Sequence, residues 1–292
     1  MIFGAADFLT IALTAVSAGF GAYVRRMLSR FTRSPFIQPF VASLVAGVLA
    51  ALSSILHLSV SQHLLAACPC MVLVPGPHFL NGAIDLVRAR IPLGAARIMF
   101  ASLIVITISA GLFIGLSLGA TRFIAAGTSV PVPFIYDIAA AGVAVAAYGA
   151  FFNMPWRMLP LPICIGMMAH ALRWCVLATG ASAPIGALVA CTLVGFCTAP
   201  LSRRLRVPFG ASAFAAVVSL IPGIFMFQTA ADALAALQNG SNIPTAALTE
   251  IAGNIVTASM ILLAMTTGLI VPKMLFDFRL DPAKDVSHRG KL

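Results

Sequence analysis

Long apolar blocks, separated by short polar or charged connections, run the length of the chain. They lie at about residues 5 to 24, 36 to 56, 60 to 76, 94 to 118, 134 to 153, 159 to 178, 183 to 200, 207 to 225 and 245 to 270. A helix needs roughly 20 apolar residues to cross a bilayer, so the pattern predicts about nine transmembrane helices. Residues 77 to 90 and 224 to 238 continue the third and eighth blocks as shorter, more polar helices. The predicted fold class is all-α integral membrane protein.

Two of these junctions are copies of one element. In each, an apolar run ends at Pro-Gly (Pro75-Gly76 and Pro222-Gly223), an amide follows six residues after the proline (Asn81 and Gln228), and an aspartate follows ten after it (Asp85 and Asp232). Proline breaks a helix interior and glycine permits unusual backbone angles, so each copy reads as a helix interrupted where polar side chains begin. Other positions align around the copies. Residues 41 to 47 (Val-Ala-Ser-Leu-Val-Ala-Gly) lie opposite residues 189 to 195 (Val-Ala-Cys-Thr-Leu-Val-Gly), and Arg25 lies opposite Arg173. Spans one to four therefore match spans six to nine. Five spans separate each pair, so the second copy crosses the membrane in the opposite direction to the first. Inverted repeats with broken helices facing one another near the midplane are a recurring transporter plan. The fifth span has no partner, which predicts a helix missing ahead of residue 1. The resulting domains are a first repeat at 4 to 120, a linker at 121 to 133, a second repeat at 134 to 272, and a charged cytoplasmic tail at 273 to 292.

Composition agrees with the span pattern. The 292 residues are 61% hydrophobic and 9% charged, which a water-soluble core of this size would not need. The net charge of +10 does not indicate nucleic acid, because the cations sit in short clusters between apolar blocks. With the C-terminus cytoplasmic, all 18 lysines and arginines except Arg122 and Arg173 fall on the cytoplasmic side, and the N-terminus lies outside. The six cysteines are inside apolar blocks, and Cys68-Pro69-Cys70 is one residue short of zinc or redox spacing. They read as helix-packing residues, with no metal or cofactor implied. No secretory signal peptide is evident. Nor is there an H-E-x-x-H motif or a Walker-type phosphate loop, and the lack of the latter argues against direct coupling to ATP.

Several motifs carry a family resemblance. Phe152-Asn153-Met154-Pro155-Trp156-Arg157, Ala169-His170-Ala171-Leu172-Arg173 and Ile221-Pro222-Gly223 resemble the second half of the threonine/serine exporter family of bacterial inner-membrane proteins. Arg25-Arg26, Arg33-Ser34-Pro35-Phe36 and Val74-Pro75-Gly76 resemble that family's other membrane module, so the match covers about residues 5 to 272. The resemblance implies export of small amino acids or small carboxylates driven by the proton gradient, by one chain or by two separately encoded halves. Members usually carry a cytoplasmic N-terminal region and one more helix ahead of the first module. This chain has neither, in keeping with its unpaired fifth span.

Candidate chemistry gathers at the two breaks. Pro75-Gly76 and Pro222-Gly223 would open half-helices whose first-turn N–H groups face a substrate carboxylate. Asn81 and Gln228, with Thr229 beside the latter, would bind its ammonium or hydroxyl. On a helix, His78, Asn81 and Asp85 share one face, as do Gln228 and Asp232. A carboxylate at membrane depth is usually neutral, paired or beside a wet cavity, which marks Asp85 and Asp232 as proton carriers. For Asp85 the competing reading is a salt bridge with Arg88 or a place at the interface. Glu250 either faces the same cavity with Asn254 or caps a helix near the outer end. His170 is either a proton relay or one half of an interhelical hydrogen bond. Arg173 either contacts an anion or snorkels outward. His78 reads either as a substrate contact at the first break or as a helix-start hydrogen bond.

The leading expectation is a proton-coupled secondary transporter rather than an enzyme, acting in the bacterial inner membrane. Its partners would be a small amino acid or carboxylate, protons and lipid. One alternative is a non-transporting subunit that needs a further copy or a partner chain supplying the missing N-terminal part. Another is an intramembrane hydrolase pairing Ser117, in Gly115-Leu116-Ser117-Leu118-Gly119, with His170.

Overall fold

Helices form where the apolar blocks fall. The computed structural model describes residues 8–58, 62–118, 133–223, 225–226, 228–229, 232 and 245–280. Ten α-helices are present there: α1 Phe8–Leu28, α2 Ile37–Ile55, α3 Gln62–Met71, α4 Gly76–Val87, α5 Ile91–Ser117, α6 Phe134–Phe151, α7 Pro160–Ala178, α8 Ala183–Leu205, α9 Phe209–Val217 and α10 Thr245–Leu280. Short 3-10 turns occupy Trp156–Met158 and Val218–Leu220. No strand occurs among the described residues. The linker predicted at 121 to 133 lies almost wholly outside them, as does the tail from residue 281.

Seven of the helices are long and apolar enough to cross a membrane, and the α3–α4 pair, bent by 58°, could make an eighth. This is a multi-pass membrane protein. The eighth predicted span is shorter than expected: Phe209–Leu220 is apolar but stops ahead of Pro222-Gly223. The terminators are local. α2, α4, α6 and α8 each end on a non-glycine residue at positive φ, namely His57 (51°), Ala89 (59°), Asn153 (55°) and Arg206 (55°). At each end the next N–H reaches back five residues to a helical carbonyl, as Met154 does to Gly149 at 2.9 Å and Arg90 to Asp85 at 2.8 Å. These are Schellman closures. The Phe152–Arg157 motif is therefore the turn that ends α6 and leads into the Trp156 3-10 turn.

The chain divides into two units: Phe3–Val132 with Pro222–Ser259, and Pro133–Ile221 with Met260–Leu292. In the first unit α2 packs on α5, backbone against backbone. A Cβ on Gly115 would lie 2.4 Å from the Leu44 carbonyl oxygen, and one on Gly47 2.5 Å from that of Leu112. Lipid offers apolar side chains no hydrophobic reason to leave it, so small residues that let helices approach closely supply the van der Waals contact instead. Ala46, Ala50, Leu65, Cys70, Ile108 and Leu112 fill the core beside that seam. α4 lies on α5 through Gly82 and Gly94, where a Cβ on Gly94 would sit 2.8 Å from the Gly82 carbonyl oxygen.

The second unit repeats the device. A Cβ on Gly195 of α8 would be 2.8 Å from the Gly268 carbonyl oxygen of α10, and one on Gly166 of α7 would be 3.1 Å from that of Ala216 in α9. At the far end of α8, Arg203 donates to Asp277 at 2.7 Å, and Lys273 donates to the same carboxylate at 2.5 Å. All six cysteines are free, with Cys70 and Cys191 buried in the packing. Large apolar side chains such as Ile106, Ile114, Val143 and Met260 stay exposed, as a lipid-facing surface requires.

Gly115→Val should overpack the α2–α5 seam, at a cost on the order of 1–3 kcal/mol or more. Gly253→Ala, where nothing lies within 4 Å of the added Cβ, should be neutral or mildly stabilising. Thermal unfolding midpoints of the detergent-purified variants check the contrast.

Candidate functional site

The first break starts at Pro75 (φ −78°, ψ 62°), which opens α4 with Pro77 in its first turn. Its N–H groups are already used. Gly76 donates to the Val74 carbonyl at 2.8 Å, Pro77 has no N–H, and His78 and Phe79 both donate to the Pro75 carbonyl, at 3.0 and 3.3 Å. The expectation that this turn presents free donors to a carboxylate is thus corrected, because the turn closes on itself.

The second break differs. The Val218–Leu220 turn gives way to an extended Ile221 (φ −59°, ψ 133°), and Pro222 and Gly223 are buried. Among the described residues that follow, the Met226 N–H donates to the Pro222 carbonyl at 3.3 Å. Gly223 and Phe225 precede it, in the position of first-turn donors. A Cβ on Gly223 would lie 3.9 Å from Cγ2 of Val74. Within the first unit, the second break therefore reaches the residue just ahead of Pro75.

The duplicated polar side chains also have unlike surroundings. On α4, His78 and Asn81 are exposed while Asp85 is 4% exposed. The His78 ring packs edge-on against Phe100, at 5.2 Å between centroids, and no side chain caps α4. This corrects the reading of His78 as a helix-start hydrogen bond. Asp85 accepts a hydrogen bond from Arg97 and has Arg90 at 4.0 Å. Arg88, the nearest cation in sequence, is not its ion-pair partner. The cause is the Schellman turn at Ala89, which folds α5 back along α4 and brings Arg97, twelve residues away, to the carboxylate.

Asp232, Gln228 and Thr229 are half-buried. The Thr229 hydroxyl donates to the Phe225 carbonyl at 2.8 Å. The charged neighbour whose field reaches Asp232 is Glu250, an exposed carboxylate in the first turns of α10. The first-copy aspartate thus contacts cations, whereas the second-copy aspartate lies in the field of another acid.

The second unit holds a polar cluster that sequence reasoning left unassembled. His170 Nε2 lies 2.8 Å from Ser219 Oγ, and its Nδ1 lies 3.4 Å from the Asp137 carboxylate. His170 is 1% exposed and Asp137 2%. An i, i+3 or i, i+4 pattern could not reveal this group, since its members come from α6, α7 and the turn after α9. A partial signal was available: Asp137 is an acid in the first turn of an otherwise apolar helix. Arg173, one turn beyond His170, interacts electrostatically with Asp137 and Cys191, and its buried Nε has no hydrogen-bond partner among the described residues. The proposed pairing of His170 with Ser117 is corrected. Both ring nitrogens are engaged elsewhere, and the Ser117 hydroxyl donates to the Ile114 carbonyl of its own helix at 2.8 Å.

The order of these motifs along the chain matches known family patterns. Residues 1–119 match a family model for a threonine/serine exporter, and residues 137–275 match a second, described as Threonine/Serine exporter, ThrE. No solved structure matches the chain. The two matches take in both breaks and the polar residues around them, and the chain belongs to the threonine/serine exporter family.

Proposed function

We propose that this chain is a proton-coupled secondary transporter that exports threonine, serine or related small carboxylates across the bacterial inner membrane. The observation that carries this reading is the unlike state of the two copies. One break has its donors tied back and its aspartate paired with Arg97, whereas the other has first-turn positions ahead of the Met226 bond and an aspartate in the field of Glu250. The substrate carboxylate binds at the Pro222-Gly223 turn, where backbone N–H groups and the helix dipole favour an anion. Gln228 and Thr229, with Asn81 and His78 across the Pro75-Gly76 break, contact the ammonium and hydroxyl. Arg173 offers a second anion contact within its own unit.

Asp232 and Glu250 carry the transported proton, because two neighbouring carboxylates share one proton more readily than they bear two charges. Asp85 is the corresponding group of the first copy, held by its cations. His170 serves the proton route in the second unit. Inverted repeats are supported by like packing: α1, α2 and α3 contact one another, as do α7, α8 and α9, with Gly47 and Gly195 at matching seams. Movement about the two breaks alternates access. The arginine clusters favour an outside N-terminus and a cytoplasmic C-terminus.

In proteoliposomes under an imposed pH gradient, the purified chain should carry threonine flux, and Asp232→Asn should abolish it. Flux unchanged by that substitution removes Asp232 from the mechanism, and flux that appears only with a second chain identifies a subunit that needs a partner. Arg97→Gln leaves a buried carboxylate without its cation and should lower stability on the order of 1–3 kcal/mol, since Arg97 is partly exposed. Adding Asp85→Asn should recover most of that loss. Thermal unfolding of the single and double variants measures the coupling.

A further inference from the structure

We infer that Asp137 and Ser219 are positioning residues for His170, which together form a buried proton relay ending on the turn that carries the Pro222-Gly223 break. The inference rests on the proton-coupled reading above and names residues that reading lacks. Three elements, α6, α7 and the Val218–Leu220 turn, each contribute one group, and both ring nitrogens are engaged, at 3.4 and 2.8 Å. Buried polar groups are costly unless paired, so a cluster of this kind could serve packing alone. The first half of the chain argues otherwise. In the repeat alignment, His170 and Ser219 correspond to Ala22 and Val72, and α1, α2 and α3 still pack together without any such cluster.

The proton bookkeeping closes without a further reactant. In the neutral ring, Nδ1–H donates to the Asp137 carboxylate and Nε2 accepts the Ser219 hydroxyl proton. A proton arriving at Ser219 Oγ from water passes the serine's own proton to Nε2. The ring then donates from both nitrogens, its charge balanced by Asp137. The bond at Ser219 has now reversed, with Oγ accepting and its hydrogen turned to another acceptor. Loss of the proton by the same path restores the first arrangement. Because Ser219 is three residues ahead of Pro222, the charge on His170 is read by the backbone that sets the second break. Other titratable groups lie on the elements that pack with α7. Arg173 follows on α7 and interacts with Asp137, Cys191 of α8 interacts with Arg173, and α6 adds Tyr136 and Tyr148. α9 carries none.

Two assays on reconstituted full chain separate a relay from a strut: threonine flux driven by a pH gradient across a range of pH, and threonine counterflow at equal pH on both sides. Asp137→Asn and Ser219→Ala should each cut gradient-driven flux by about a hundredfold, the lower end of what a positioned acid–base side chain contributes. They should shift the pH profile and leave counterflow near that of the unaltered chain. Ser219→Thr, which keeps the hydroxyl, should restore the profile. An unchanged profile overturns the inference, and so does a parallel fall in both assays, which marks a structural role. If one variant fails to fold, the other decides. Absence of gradient-driven flux in the unaltered chain sinks the proton-coupled reading itself, and this inference with it.

Discussion

A backbone inside hydrocarbon has no water to bond, so every N–H and C=O in a spanning segment must find its partner within the protein. Long helices meet this condition by themselves, and most of the chain consists of them. The two Pro-Gly junctions cannot, because proline removes a donor and its ring excludes the preceding turn. Each junction must therefore close its loose groups locally, bury them against protein, or leave them for a ligand. Pro75 follows the first course, through bonds from Gly76, His78 and Phe79. Pro222 and Gly223 are buried near Val74, with first-turn positions ahead of the Met226 bond. That difference is the basis of the proposed substrate site.

Close helix approach is the second condition. Apolar side chains gain little by leaving lipid for one another, so cohesion falls to contact area, and contact area falls to glycine. The α2–α5 and α8–α10 seams both set a glycine against a facing backbone. Such seams are rigid, because a packed interface has few intermediate arrangements. Whatever movement accompanies transport is better accommodated at the breaks, where the hydrogen-bond ladder is already interrupted.

The acids divide along the same line. Asp85 is stabilised by Arg97 and Arg90, and Asp277 by Arg203 and Lys273. In both cases a carboxylate ties two helices together and is poorly placed to give up its charge. Asp232 lies in the field of Glu250, and Asp137 faces His170 and lies in the field of Arg173. A carboxylate in the field of another acid takes up a proton more readily than one locked in an ion pair.

Much of the architecture was legible in residue order alone. Block lengths of apolar residues place nearly every helix, because a bilayer demands a fixed run and penalises any charge within it. The duplicated Pro-Gly, amide and aspartate spacing marks both breaks, and the motif order identifies the family. Residue order could not choose Arg97 over Arg88 as the partner of Asp85, since a left-handed Ala89 decides which way the chain returns. Nor could it assemble Asp137, His170 and Ser219, whose sequence separations of 33 and 49 are bridged only when α6, α7 and the turn after α9 pack together. Periodicity reports on neighbours one or two turns away along a single helix. Contacts between helices depend on how those helices meet, and only the tertiary structure decides that.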